Sequence, residues 1–325
     1  MGRFFVGSLG PRIRSRAVKP LDVFTTMPDG TNRTIYLFLQ LTLAFSAVVW
    51  TLIIWSGHLF MGFGLMIPLL MWCPAIAAFV TYRKLGRSIQ ALGWRWPNHR
   101  YLVAAYLVPL AYTSIAYGAV WVWHLGGWDS DFVSLVAERF GLHGLPPWGS
   151  LALYIVSTAT AGMILNLATA LGEEIGWRGF LVPELAQRMS FMKVSVLSGL
   201  IWAAWHAPLL LFADYNAGTN RGYAIICSTM WLISASVILA WLRLKSDSVW
   251  PAAVFHASHN VFVPSIFDNL VLNTGSTFWY TTQFGVALAI TCVPFAVYFW
   301  SRRNEIQCVT SEKVSAALRP QLAGD

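Results

Sequence analysis

Apolar residues along this chain run in long blocks, and the polar residues gather in short stretches between them. Neither helical nor alternating spacing breaks these blocks up, so they do not read as faces of a water-soluble core. They predict transmembrane helices, because crossing the hydrocarbon takes about 20 apolar residues at about 1.5 Å of rise each. Eight candidate spans follow, at approximately 35–55, 59–82, 101–123, 151–171, 194–212, 223–244, 249–263 and 278–300. The seventh is short and is expected to tilt or to extend past Pro264. The fold class this predicts is all-α, a polytopic integral membrane helical bundle of about eight transmembrane helices.

Composition agrees. Of 325 residues, 57% are hydrophobic and 11% charged, against roughly a quarter charged in a soluble domain. Too few polar side chains are present to cover a globule in water. The 17 tryptophans and 11 tyrosines fit aromatic belts at the two membrane interfaces. The net charge of +8 does not point to nucleic acid, since the basic residues sit in connections between apolar blocks. With the N-terminus inside, 20 of the 22 Lys and Arg residues fall on the cytoplasmic side, and only Arg139 and Arg221 fall outside. That asymmetry favours both termini in the cytoplasm and an even number of spans. A multi-pass protein of the plasma (inner) membrane is expected, with no removable signal peptide ahead of the first block.

The organisation reads as a cytoplasmic N-terminal segment (1–34), three spans with their connections (35–150), a chemically distinctive core (151–264), and a last span with a cytoplasmic tail (265–325). The stretch 126–149 is the longest outside connection. The cysteines Cys73, Cys227, Cys292 and Cys308 are scattered and form no CxxC pair, so neither a disulfide framework nor a metal knuckle is implied. The first three lie in apolar stretches and read as buried.

Strongly polar side chains near the centre of a span cost about 2.5–3.5 kcal/mol each, and three clusters of them stand out. In 172–180, Glu174 and Arg178 are four apart and share a helix face, so they are expected to pair. Glu173 points about 100° away with no basic residue at helical spacing, which leaves it for other work. Gly172 and Gly176 are also four apart and would let another backbone or a substrate approach closely. In 201–208, His206 lies about 18 Å along its span, and Pro208 is expected to bend or unwind the helix beside it. In 254–260, His256 and Asn260 are four apart on one face, with His259 one position off that line. Each cluster alone has a bland reading: an interfacial ion pair, a histidine bonded to a neighbouring helix, or a polar tie between helices. Three together, all placed by the span boundaries in the cytoplasmic half, favour function.

With these residues in view, the chain resembles the CPBP family, the CAAX proteases and bacteriocin-processing membrane enzymes. The family pattern is EExxxR, then an aromatic residue four before a histidine, then HxxxN. Here Glu173-Glu174 with Arg178, Trp202 with His206, and His256 with Asn260 follow it, Trp202 standing where phenylalanine is usual. The likeness spans roughly 151–264, and the first three spans match only as membrane helices. It implies peptide-bond hydrolysis within the membrane near the cytoplasmic face. Glu173 would be the general base on a water held with His206, and His256 and Asn260 would donate to the oxyanion. Glu174 and Arg178 would support them.

Zn2+ stays open as a cofactor. Glu173, His206 and His256 would make an acceptable zinc shell with a free position, but HExxH is absent, so the metal-free glutamate mechanism is preferred. The expected partners are membrane lipid and a peptide or membrane-protein substrate, with or without an attached lipid, and no nucleic acid. A non-catalytic membrane scaffold or bacteriocin self-immunity protein of the same fold is the main rival. A proton-coupled transporter is a third reading, disfavoured because no inverted repeat is visible.

Overall fold

Long apolar runs without charge can satisfy their backbone only within each segment, so they form helices. The computed structural model describes residues 29–57, 64–139, 141 and 144–306. The basic N-terminal segment through residue 28, the start of the second expected span, and the tail with Cys308 lie outside the described residues. Ten α-helices occur among the described residues: α1 (Asp29–Ser56), α2 (Met66–Lys84), α3 (His99–Val122), α4 (Ser130–Arg139), α5 (Pro147–Glu174), α6 (Val182–Ala186), α7 (Phe191–Phe212), α8 (Arg221–Ser246), α9 (Trp250–Phe262) and α10 (Val286–Ser301).

The protein is an all-α membrane bundle. Six helical segments are long and apolar enough to cross a bilayer: Arg33–Ser56, Met66–Lys84, His99–Val122, Pro147–Ala186, Phe191–Phe212 and Arg221–Ser246. They coincide with the first six expected spans. At the seventh and eighth positions stand shorter helices, 13 residues in α9 and 16 in α10. α9 does run on past Pro264, through a π-helical turn at Val263–Phe267. Large apolar side chains such as Leu153, Val156, Ile164 and Leu165 are exposed on α5, as lipid contact requires.

Two features outside the spans had no sequence signal. The long connection carries α4, and a two-residue strand β1 (Gly127–Trp128) pairs antiparallel with β2 (Val271–Leu272). Val133 of α4 packs with Leu151, Phe262, Ile266 and Leu270 in a small apolar cluster that caps this end of the bundle. Cys73, Cys227 and Cys292 are buried and free, as their apolar settings suggested.

α5 supplies the element that positions the site. Its α-helical hydrogen bonding stops at Glu174 and continues as a π-helix over Ile175–Leu181. π-turns of this kind gather at functional sites. Gly172 and Gly176 lie against α2 as their spacing suggested. A Cβ on Gly172 would stand 2.8 Å from the Met71 carbonyl oxygen, and one on Gly176 only 2.4 Å from Pro74 Cβ. The helix break expected at Pro208 does not occur: α7 runs unbroken to Phe212. The irregular backbone falls instead in the π-turns after Glu174 and after α9.

Candidate active site

Glu173 is 2% exposed, and one of its oxygens collects two indole N–H donors. Trp202 Nε1 on α7 donates to Glu173 Oε2 at 2.7 Å, and Trp177 Nε1 donates to the same oxygen at 3.4 Å. Oε1 has no protein donor among the described residues. A buried carboxylate needs such donors, since charge leaves water at a high cost.

Glu174 is fully buried and is held from two sides. Arg178 Nη1 lies 2.9 Å from its Oε1, as the four-residue spacing foretold. His256 Nδ1 stands 2.9 Å from the same oxygen, a contact between α5 and α9 that spacing alone cannot give. Arg178 also donates to Ser236 Oγ at 2.9 Å, and its guanidinium lies 4.2 Å from the centre of the Trp202 ring. Arg243 Nε donates to the Arg178 backbone carbonyl at 3.0 Å, satisfying an acceptor within the π-turn. The pair is thus held by His256, Ser236 and Trp202, while Glu174 Oε2 and Arg178 Nε stay buried without a partner among the described residues.

Carbonyl and carboxylate oxygens only accept, so the partners of each imidazole settle which nitrogen carries a proton. His206 Nδ1 donates to the Trp202 backbone carbonyl at 3.0 Å. Its ring stacks on Tyr215 and meets Trp205 edge-on. His256 Nδ1 donates to Glu174. In both rings Nε2 has no protein partner among the described residues. Asn260 likewise has no side-chain partner among them.

Glu173, His206, His256 and Asn260 line one cavity of about 340 Å³. His259, singled out in the sequence but given no role, lines it too. Its Nδ1 shares a 2.7 Å hydrogen bond with the Tyr112 hydroxyl, its ring stacks 4.0 Å from Trp231, and its buried Nε2 is unpartnered. Sequence reasoning also passed over Trp177, Ser236 and Arg243. Only Trp177, four residues after Glu173, carried a local signal.

The cavity lining runs from Glu173 on α5 to Tyr215 after α7 and Gln283 before α10. Trp177 packs on Phe38 in the first half of α1, and Trp205 donates to Ser46 and packs on Trp50 further along it. The lining also includes Ile67 and Pro68 at the start of α2.

As a zinc shell the set does not fit. Among the described residues no three His, Cys, Asp or Glu side chains converge as metal ligands. One oxygen of Glu173 is already occupied by two indole donors.

A helical membrane bundle that encloses a carboxylate, two oriented imidazoles and a carboxamide in one cavity belongs to the intramembrane class of proteins with a polar centre. Comparison with known proteins narrows this. Residues 155–262 match the family described as Rce1-like, type II CAAX prenyl endopeptidase, and this segment contains every candidate residue from Glu173 to Asn260. The chain is also similar to CAAX prenyl protease 2 of Methanococcus maripaludis, at 29% identity over 128 residues. That match covers 36% of this chain and 45% of the relative's own length. Both matches support the CAAX protease family, and the family match falls within the central core.

Proposed function

We propose that this chain is an intramembrane endopeptidase of the CAAX-protease type that uses a glutamate-activated water. Glu173 takes a proton from a water in the cavity, and the resulting hydroxide attacks the scissile carbonyl carbon. His206, its Nδ1 proton committed to Trp202, offers the Nε2 lone pair to orient that water. His256 and Asn260 donate to the oxygen of the carbonyl as it gains charge. For His256 to donate from Nε2 its ring must hold both protons, and Glu174 supplies the countercharge. The proton on Glu173 then passes to the leaving amine, so the carboxylate is restored. Arg178, Ser236 and Trp202 position Glu174 and thereby His256.

The observation that carries this reading is the single cavity lined by Glu173, His206 and His256. The substrate class is a peptide or membrane-protein segment, with or without a lipid, drawn from the surrounding bilayer. Cleavage falls near the cytoplasmic face of the membrane, the side to which the basic connections assign both termini. No step runs through a metal.

The test is cleavage of a peptide panel by purified protein in liposomes, with products identified by mass spectrometry. Wild type is expected to hydrolyse internal bonds and to continue after exhaustive chelation, whereas His206→Ala and His256→Ala do not cleave. Folded wild-type protein that cleaves nothing, or a cellular phenotype surviving both substitutions, would favour the scaffold. Activity lost on chelation and restored by zinc alone would overturn the metal-free mechanism.

A further inference from the structure

A second cavity, of about 760 Å³, opens at the basic end of the bundle between the start of α3, the end of α8 and the last turns of α10. It shares no lining residue with the Glu173 cavity. Its rim carries Arg100, Lys245 and Arg302 against a single carboxylate, Glu305. Glu305 is engaged by Arg302 Nε at 2.5 Å and by Lys245 Nζ at 3.5 Å. Arg100 has no carboxylate partner among the described residues. Its guanidinium makes one hydrogen bond there, from Nη2 to the Tyr101 hydroxyl at 2.8 Å. The rim thus has an excess of two positive charges and N–H donors to spare.

Below the rim the character changes within a few ångströms. Ala104 and Val108 follow Arg100 at four-residue intervals down one face of α3, about 6 and 12 Å deeper. Tyr298 and Pro294 precede Arg302 at the same intervals on α10, and Phe295 completes the wall. Two helices therefore present matching stripes, cationic at the mouth and apolar along the trough.

We propose that this groove binds one anionic phospholipid from the leaflet at the basic end. The phosphate would meet Arg100, Lys245 and Arg302, and the first part of an acyl chain would lie along Ala104, Val108 and Phe295. Inorganic phosphate would fill only the cationic rim and leave the apolar trough unused. A zwitterionic headgroup would bring its own cation to an already positive rim. The proposal is independent of the protease reading, since none of these residues touches the Glu173 cavity.

Native mass spectrometry of the purified full chain tests it, after incubation with vesicles of phosphatidylglycerol or of phosphatidylcholine. Wild type is expected to retain one phosphatidylglycerol and no phosphatidylcholine, and millimolar inorganic phosphate should not displace the lipid. The triple variant R100Q/K245Q/R302Q should lower retention at least about tenfold. Ala104→Phe, which fills the trough and keeps the charges, should do the same; it decides the matter if the triple variant fails to fold. Equal retention of both lipids, undiminished retention by folded variants, or displacement by inorganic phosphate would overturn the proposal.

Discussion

Trp202 touches nearly every part of the site: it donates to Glu173, lies under the Arg178 guanidinium, and meets His256 edge-on at 5.3 Å. Its four-residue lead over His206 was readable in the sequence, but the donation to Glu173 was not. That bond joins α5 to α7, and no spacing along one helix encodes which indole reaches which carboxylate. The same holds for His256, whose pairing with Glu174 depends on how α9 crosses α5. The Glu174–Arg178 pair, by contrast, was legible because both residues lie on one helix face. Removing one member of a buried pair leaves the other charge uncompensated, at a cost on the order of 3–5 kcal/mol. Glu174→Gln and Arg178→Ala are therefore expected to lower the thermal midpoint in detergent and to impair cleavage together. A Glu174→Gln protein that melts like wild type would contradict the positioning role given to Glu174.

At the scale of elements, the π-helix Ile175–Leu181 follows directly on the two glutamates that end α5, and its Trp177 and Arg178 bond back to them. Its position is held by close backbone approach to α2 at Gly172 and Gly176 and by Arg243 on its carbonyl. The glycine spacing announced the approach, whereas the π-turn itself left no mark in the pattern of apolar residues. Pro208 illustrates the converse: its type predicted a bend or unwinding, yet the helical turns of α7 continue through it to Phe212. A methyl group at Gly176 has no space beside Pro74, and overpacking of this kind costs about 1–3 kcal/mol. Gly176→Ala should thus melt earlier than wild type and lose activity, measured side by side, while the half-buried Gly118→Ala, with nothing within 4 Å, should not. Equal melting of the two variants would remove the claim that α2 fixes the π-turn.

Across the whole molecule, hydropathy blocks gave the order and approximate limits of the membrane helices, because the bilayer imposes one length on all of them. What they could not give was how the helices pack, and so which side chains share the cavity. The cap built by α4, β1 and β2 was equally silent, its contacts being between segments far apart in the chain. At this end Asp268 accepts a hydrogen bond from Tyr117, whose hydroxyl also receives the Thr282 backbone N–H. Burial raises the Asp268 carboxyl from 3.8 to about 7. The folded protein therefore holds a proton that the unfolded chain has released between about pH 4 and pH 7, so stability falls as pH rises through that window and levels off above it. The thermal midpoint of wild type should decline from about pH 4 to about pH 7 by more than that of Asp268→Asn. Parallel curves for the two proteins would place the pH dependence elsewhere.

Turnover by Glu173→Gln in liposomes probes the account at its centre, because the substitution keeps shape and removes only the basic oxygen. With insertion and thermal midpoint checked alongside, cleavage is expected to drop roughly 10²–10⁴-fold. A folded Glu173→Gln protein that cleaves at the wild-type rate would contradict the assignment of Glu173 as the group that activates water.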